Sequence, residues 1–199
     1  MSNKLLPTSS HKFPHNPPEK VVSTMHLTHL LLALPALPAL AASLTKRACG
    51  ETTTRVCFGG SSGGTAQNID VDDISYAAAY LRYLADTNGA NPLWTMPPEF
   101  DCSEWGLPIA DAGTVLVLAK HIKPRTNSSV SYYDLARTID GGADATPAQL
   151  AGSLLGACGA AGGMMGVTVN ADDPAYKTPG YIASKAKPQD MIIKLVRAP

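Results

Sequence analysis

The chain has 199 residues, 45% of them hydrophobic, with 16 Lys and Arg against 16 Asp and Glu. Residues 1–47 read as a leader and carry five of the basic and one of the acidic side chains. The remaining 152 residues therefore hold 11 basic against 15 acidic groups, a net charge near −4. That balance excludes the basic excess of a nucleic-acid binder and weakens adhesion to anionic membranes, and the length suits one domain around a single core.

Residues 1–24 are polar, proline-rich and aperiodic, as expected of a disordered leader or of sequence upstream of a true start at Met25. Leu30 to Ala42 is a 13-residue apolar run ending in Ala39-Leu40-Ala41, the small-residue pattern that signal peptidase favours. It is shorter than the ~20 residues needed to span a bilayer, so residues 25–42 are expected to be a signal peptide. Lys46-Arg47 closes a short segment, 43–47, and resembles the kexin-type propeptide sites of secreted fungal proteins. The expected mature domain is 48–199, secreted and extracellular.

All four cysteines, Cys49, Cys57, Cys102 and Cys158, lie in the mature segment. An even count in an exported chain predicts two disulfides, with three pairings open. A metal site is not expected, because there is no CxxC and His121 is the only mature histidine.

In chain order, residues 52–58 (TTTRVCF) predict a first strand that stops at the glycine-serine cluster 59–64. Asp70 then caps a helix whose buried face is Ile74, Ala77, Ala78, Leu81, Leu84 and Ala85, ended by Asn88-Gly89. Residues 88–113 read as a long connection carrying Trp94, Trp105 and Cys102. The run 114–122 (TVLVLAKHI) predicts a central strand with His121 on the face of Val115, Val117 and Ala119. Ser131 caps a helix closed by Gly141-Gly142, and Thr146-Pro147-Ala148-Gln149 is a capping box opening a helix that runs on to Cys158, which is expected to face the core. Residues 164–169 and 191–197 predict two further strands. The order suits an α+β fold, a disulfide-stapled two-layer α/β sandwich with a sheet of about four strands and about three helices. The first strand-helix-strand unit would be a right-handed crossover if its strands ran parallel.

Several residues could carry chemistry. Gly59-Gly60-Ser61-Ser62-Gly63 matches G-x-S-x-G, and Asp101 or Asp111 with His121 would complete a hydrolase order, but the neighbouring register around Ser62 matches equally and no helix follows at once. As the one mature imidazole, His121 could pair with Glu99 or Glu104 and Arg125 as in a ribonuclease, while Asp101 and Glu104 could form a glycosidase pair. Against these stands the plain reading of a partly buried histidine at a strand end. Tyr76, Tyr80 and Tyr83 make a second stripe on the first helix and, with Trp94 and Trp105, are a candidate binding surface for a protein or carbohydrate. Asn127-Ser128-Ser129 is an N-glycosylation sequence expected on a surface loop. No nucleotide, calcium or zinc motif is present, and no cofactor is implied.

The signal run, Lys46-Arg47, the four cysteines and the element order together resemble the small secreted cysteine-containing proteins of filamentous fungi, which include candidate effectors and killer-toxin-like α/β sandwiches. The resemblance covers processing more than activity; because no candidate catalytic set outweighs the plain reading of its residues, the expected function is that of a monomeric, non-enzymatic extracellular protein that binds a host or cell-wall target. The alternative is a small secreted hydrolase of ribonuclease, esterase or glycosidase type using His121 with a nearby carboxylate. A third reading is an inhibitor of a host hydrolase that presents the tryptophan connection.

Overall fold

The strongest apolar alternations in the chain become the middle of a sheet. The computed structural model describes residues 49–61, 63–89, 91–97, 102–123 and 125–199. The leader with Ala41, Lys46 and Arg47, and the candidates Ser62, Glu99 and Asp101, lie outside them. Strands β4 (Val115–His121) and β7 (Met191–Arg197) pair antiparallel along their whole length, Val115 opposite Arg197 and His121 opposite Met191. Around them the five-stranded sheet runs β1 (Val56–Cys57), β6 (Gly163–Gly166), β7, β4, β3 (Glu104–Gly106), every neighbour antiparallel. A separate two-stranded sheet joins β2 (Leu93–Thr95) to β5 (Ser129–Ser131).

Among the described residues five α-helices accompany the strands. Helix α1 (Val71–Thr87) is capped by the Asp70 carboxylate, which accepts from the Asp72 N–H, and it buries Ile74, Ala77, Ala78, Leu81 and Ala85. Helix α2 (Tyr132–Asp140) is capped by Ser131 and closed by Gly141 in the left-handed region, φ 91°. The capping box at Thr146 and Gln149 forms and opens α3 (Pro147–Gly152). That helix does not reach Cys158 unbroken. Ser153 is extended, donates to the Leu150 carbonyl at 2.7 Å, accepts from the Gly156 N–H at 3.1 Å, and starts α4 (Leu154–Cys158) afresh. The last helix, α5 (Pro179–Ser184), follows a 3-10 turn at Pro174–Lys177.

One face of the sheet, Val115, Val117, Ala119, Met191, Ile193 and Leu195, packs against α1, α2 and α4 to form the core. Each buried aliphatic side chain there contributes about 2 kcal/mol. The sheet is fully antiparallel, so the conditional crossover does not occur: β1 pairs with β6, not with β4. The first strand is shorter than residues 52–58, and the third is 163–166 rather than 164–169. The connection 88–113 holds β2 and β3, each three residues long and too short to leave a periodic trace.

The cysteines pair as Cys49–Cys102 and Cys57–Cys158, enclosing 53 and 101 residues of separation. Cys158 packs against the core, as expected. Restricting the unfolded chain makes each bridge worth about 2–4 kcal/mol. Among the described residues no helix is long and apolar enough to cross a membrane.

Candidate functional site

The tyrosine stripe lies on the outer side of α1, opposite the residues that helix buries. Tyr76 and Tyr83 are 42% and 57% exposed, and Tyr80 between them is half-buried. Their rings meet in tilted contacts with centroids 6.0 and 5.8 Å apart. Tyr133 of α2 is also exposed and donates its hydroxyl to the Asp86 carboxylate on α1, which raises the phenol above its usual range. The stripe and Tyr133 thus belong to the same helical layer. Such side chains offer rigid amphipathic contact at small entropic cost. The tryptophans are placed differently. Trp94 on β2 and Trp105 on β3 are half-buried and pack against the core.

Beside the α1–α2 junction is a cleft of about 280 Å³ lined by Arg82, Tyr133, Arg137, Gly142 and Gln149. A smaller hollow, about 200 Å³, shares Arg137 and Gln149 and reaches Thr168. Arg82 is committed to Asp140 through two hydrogen bonds, 2.8 and 3.1 Å. A third cleft, about 250 Å³, lies away from the tyrosines and is lined by Arg125, Thr126, Asn127, Lys185, Lys187 and Gln189. Asn127 is exposed there and donates through Nδ2 to the Ser184 carbonyl at 3.1 Å.

His121 lines none of these three clefts. It is 1% exposed at the end of β4, on the helix-facing side with Val117 and Ala119. Glu104 stands opposite Lys120 on the adjoining strand, and successive residues of a strand point to opposite faces. The sheet therefore separates the Glu104 carboxylate from the His121 imidazole. Glu104 is instead joined to Lys194 at 2.5 Å and lies 3.9 Å from Lys120, while Glu51 binds both lysines. Burial raises the Glu51 carboxyl, but the hydrogen bonds and charges of Lys120 and Lys194 outweigh it and hold the group below the usual carboxylate range. Asp111 is exposed in a left-handed turn, φ 54°.

The glycine-serine segment is a closed turn. The Gly59 N–H donates to the Gly64 carbonyl at 2.8 Å, and a side chain at Gly63 would lie 2.0 Å from the Cys57 carbonyl oxygen. Ser61 is exposed, and the next helix starts only at Val71. A nucleophile elbow needs a helix directly after the serine.

Sequence reasoning missed a buried polar cluster behind α2. Asp134 is fully buried, accepts the Tyr176 hydroxyl at 2.7 Å and the Asn170 N–H at 3.0 Å, and lies 3.8 Å from Arg137 Nε. The Tyr176 oxygen in turn accepts from the Ser131 N–H at 2.9 Å. Burial pushes the Asp134 carboxyl up against the lowering effect of those hydrogen bonds, and burial also pushes the Tyr176 phenol far above its usual range. The nearby Tyr181 phenol, pushed up by burial to about 12, donates to the Ser129 carbonyl. The only trace in the sequence is an aspartate three residues after a capping serine, which reads as ordinary helix-end chemistry. These groups tie residues 170–181 to α2 and β5, and Asp134, Tyr176 and Tyr181 are all buried.

Among the described residues no group of His, Cys, Asp and Glu could hold a metal ion. A scan against protein-family models found no match, and searches of curated proteins and of solved structures found none either.

Proposed function

We propose that the mature chain is an exported, non-enzymatic, effector-like or toxin-like protein that binds an extracellular host or cell-wall target through the tyrosine-bearing side of α1. The observation that carries this reading is the exposure of Tyr76 and Tyr83 in one stripe of tilted ring contacts with Tyr80. Large aromatic side chains gathered on the outer side of one helix supply the rigid amphipathic contact that a recognition surface uses. Two disulfides are compatible with the oxidising compartment that secretion implies. The enclosure of His121, with Glu104 on the other side of the sheet, favours binding over hydrolysis.

The test is retention of the purified protein on insoluble cell-wall material and on immobilised host-surface glycoproteins, compared with a Tyr76→Ser, Tyr83→Ser double variant. Wild type is retained on one of the two, and the double variant loses about tenfold or more in affinity. Equal retention of the two proteins overturns the tyrosine surface. Turnover of a glycan, ester or RNA substrate that disappears in His121→Ala overturns the non-enzymatic reading.

A further inference from the structure

Eleven Lys and Arg follow residue 47. Six are in ion pairs, and Arg55 and Arg197 donate to main-chain carbonyls. The three left over are Arg125, Lys185 and Lys187, and all three line the same 250 Å³ cleft. Among the described residues none of them has a side-chain hydrogen bond or an ion pair. The acidic group nearest in sequence to the cleft wall, Asp190, is already matched. It is 2.9 Å from Lys123 and accepts hydrogen bonds from Thr126 and Gln189.

The walls are held in place by main-chain bonds. The Lys187 N–H donates to the Asn127 carbonyl at 2.8 Å, and the Ser129 N–H donates to the Lys187 carbonyl at 3.1 Å. The segments carrying Arg125 and Lys187 are thus zipped together, and among the described residues no acidic side chain pairs with the cations gathered there. Solvated lysines normally scatter over a surface, and gathering like charges costs energy unless an anion answers them.

We infer that this cleft binds the acidic unit of a short carboxylated oligosaccharide, an oligouronate. The assignment deepens the extracellular-binding reading and rests on it for the choice of a sugar. A planar carboxylate matches the Arg125 guanidinium, with Lys185 and Lys187 as point charges. The side chains of Thr126, Asn127 and Gln189 supply donors and acceptors for hydroxyls. The volume is below the roughly 300–1,000 Å³ of pockets for drug-sized ligands, which suits one sugar unit at a time. Charge elsewhere decides against a long polyanion. Without these three residues the mature chain has eight basic against 15 acidic side chains, a surface that repels nucleic acid or an anionic membrane extending beyond the cleft. Asn127 lies in the same wall, so a glycan attached there and an oligouronate would compete for one space.

The experiment titrates a short oligouronate into the full chain, made in a host that forms disulfides and adds no N-glycan, with calorimetry as the readout. Wild type binds saturably and more weakly as salt rises. The triple variant Arg125→Gln, Lys185→Gln, Lys187→Gln loses about tenfold or more, Lys177→Gln loses nothing, and a neutral oligosaccharide of equal length does not bind. An unchanged melting temperature for the triple variant shows that the loss belongs to the cleft. No saturable binding by wild type, equal binding of the neutral sugar, or equal binding by the triple variant each overturns the assignment. If the cleft fails while the tyrosine double variant still loses retention, the broader reading stands alone; if that variant also behaves as wild type, both fall.

Discussion

On one side of the sheet Val117, Ala119, Ile193 and Leu195 are shut in by the aliphatic faces of α1 and α2, whereas on the other Lys120 and Lys194 rise from the same two strands to meet Glu51 and Glu104. Among the described residues the polar contacts of that second side come from a strap and from β3, not from a helix. Residues 49–53 run instead from the Ile122 carbonyl, which accepts from the Cys49 N–H, past the two lysines to Gly166, whose N–H donates to the Thr53 carbonyl. A strap of glutamate and threonines has almost no apolar surface to bury. It is held by charge, by main-chain bonds and by Cys49–Cys102, which fastens it beside β3. The difference teaches that alternation in a strand fixes which residues share a side, while the covering segment decides how much charge that side can hold; the strap side keeps Lys120 and Lys194 paired with glutamates next to a fully buried Ile192.

The comparison predicts unequal costs. Leu81→Ala, on the helical side, removes a fully buried side chain and should cost about 2–5 kcal/mol, read as a shift in the urea midpoint at constant slope. A loss under about 1 kcal/mol would mean that the core is looser than the packing implies. Replacing Cys49 and Cys102 together by serine frees the strap and should cost about 2–4 kcal/mol, with the chain still folded because Cys57–Cys158 remains.

Lys194→Met should cost less, about 1–2 kcal/mol at neutral pH, because Lys120 stays near both glutamates. It should also flatten the acid limb of stability. Glu51 titrates below its unfolded value in the native protein, so its contribution is complete above about pH 4.3 and is lost as pH falls through the native value. Asp134 has the opposite sign. Its native carboxyl lies above the unfolded value, so acidification through that range relieves a penalty, and Asp134→Asn should lose this relief in a pH series of thermal melts. If both variants kept the wild-type pH profile, neither cluster would couple to folding. The smallest effect is expected at Tyr83→Ala, within about 0.5 kcal/mol, because the ring is largely in water. A larger loss would make the stripe a structural feature rather than a binding surface.

Much of the fold was legible in local pattern. The alternation through residues 114–122 placed His121 on the same side as Val117, and the capping box at Thr146 marked the start of α3. Legibility failed where elements were short. β2, β3 and β5 have three residues each, and their hydrogen bonds come from partners far along the chain. The break at Ser153 escaped notice because helix periodicity continues across it. At Gly156 a side chain would lie 2.0 Å from the Leu150 carbonyl oxygen, a crowding that exists only once the chain has bent. Of the candidate site, the tyrosine spacing was readable from sequence, while the gathering of Arg125 with Lys185 and Lys187 was not, because about 60 residues separate them.

By itself the sequence determined the α+β class, the helix caps, the apolar side of the central strand and an even set of cysteines, since each depends on spacing within a few residues. Tertiary structure alone decided which cysteines pair, that every strand runs antiparallel to its neighbours, that the sheet stands between His121 and the Glu104 carboxylate, and which basic side chains gather in one cleft. Those outcomes depend on distances between residues remote in the chain, and such distances are set by how the whole core packs.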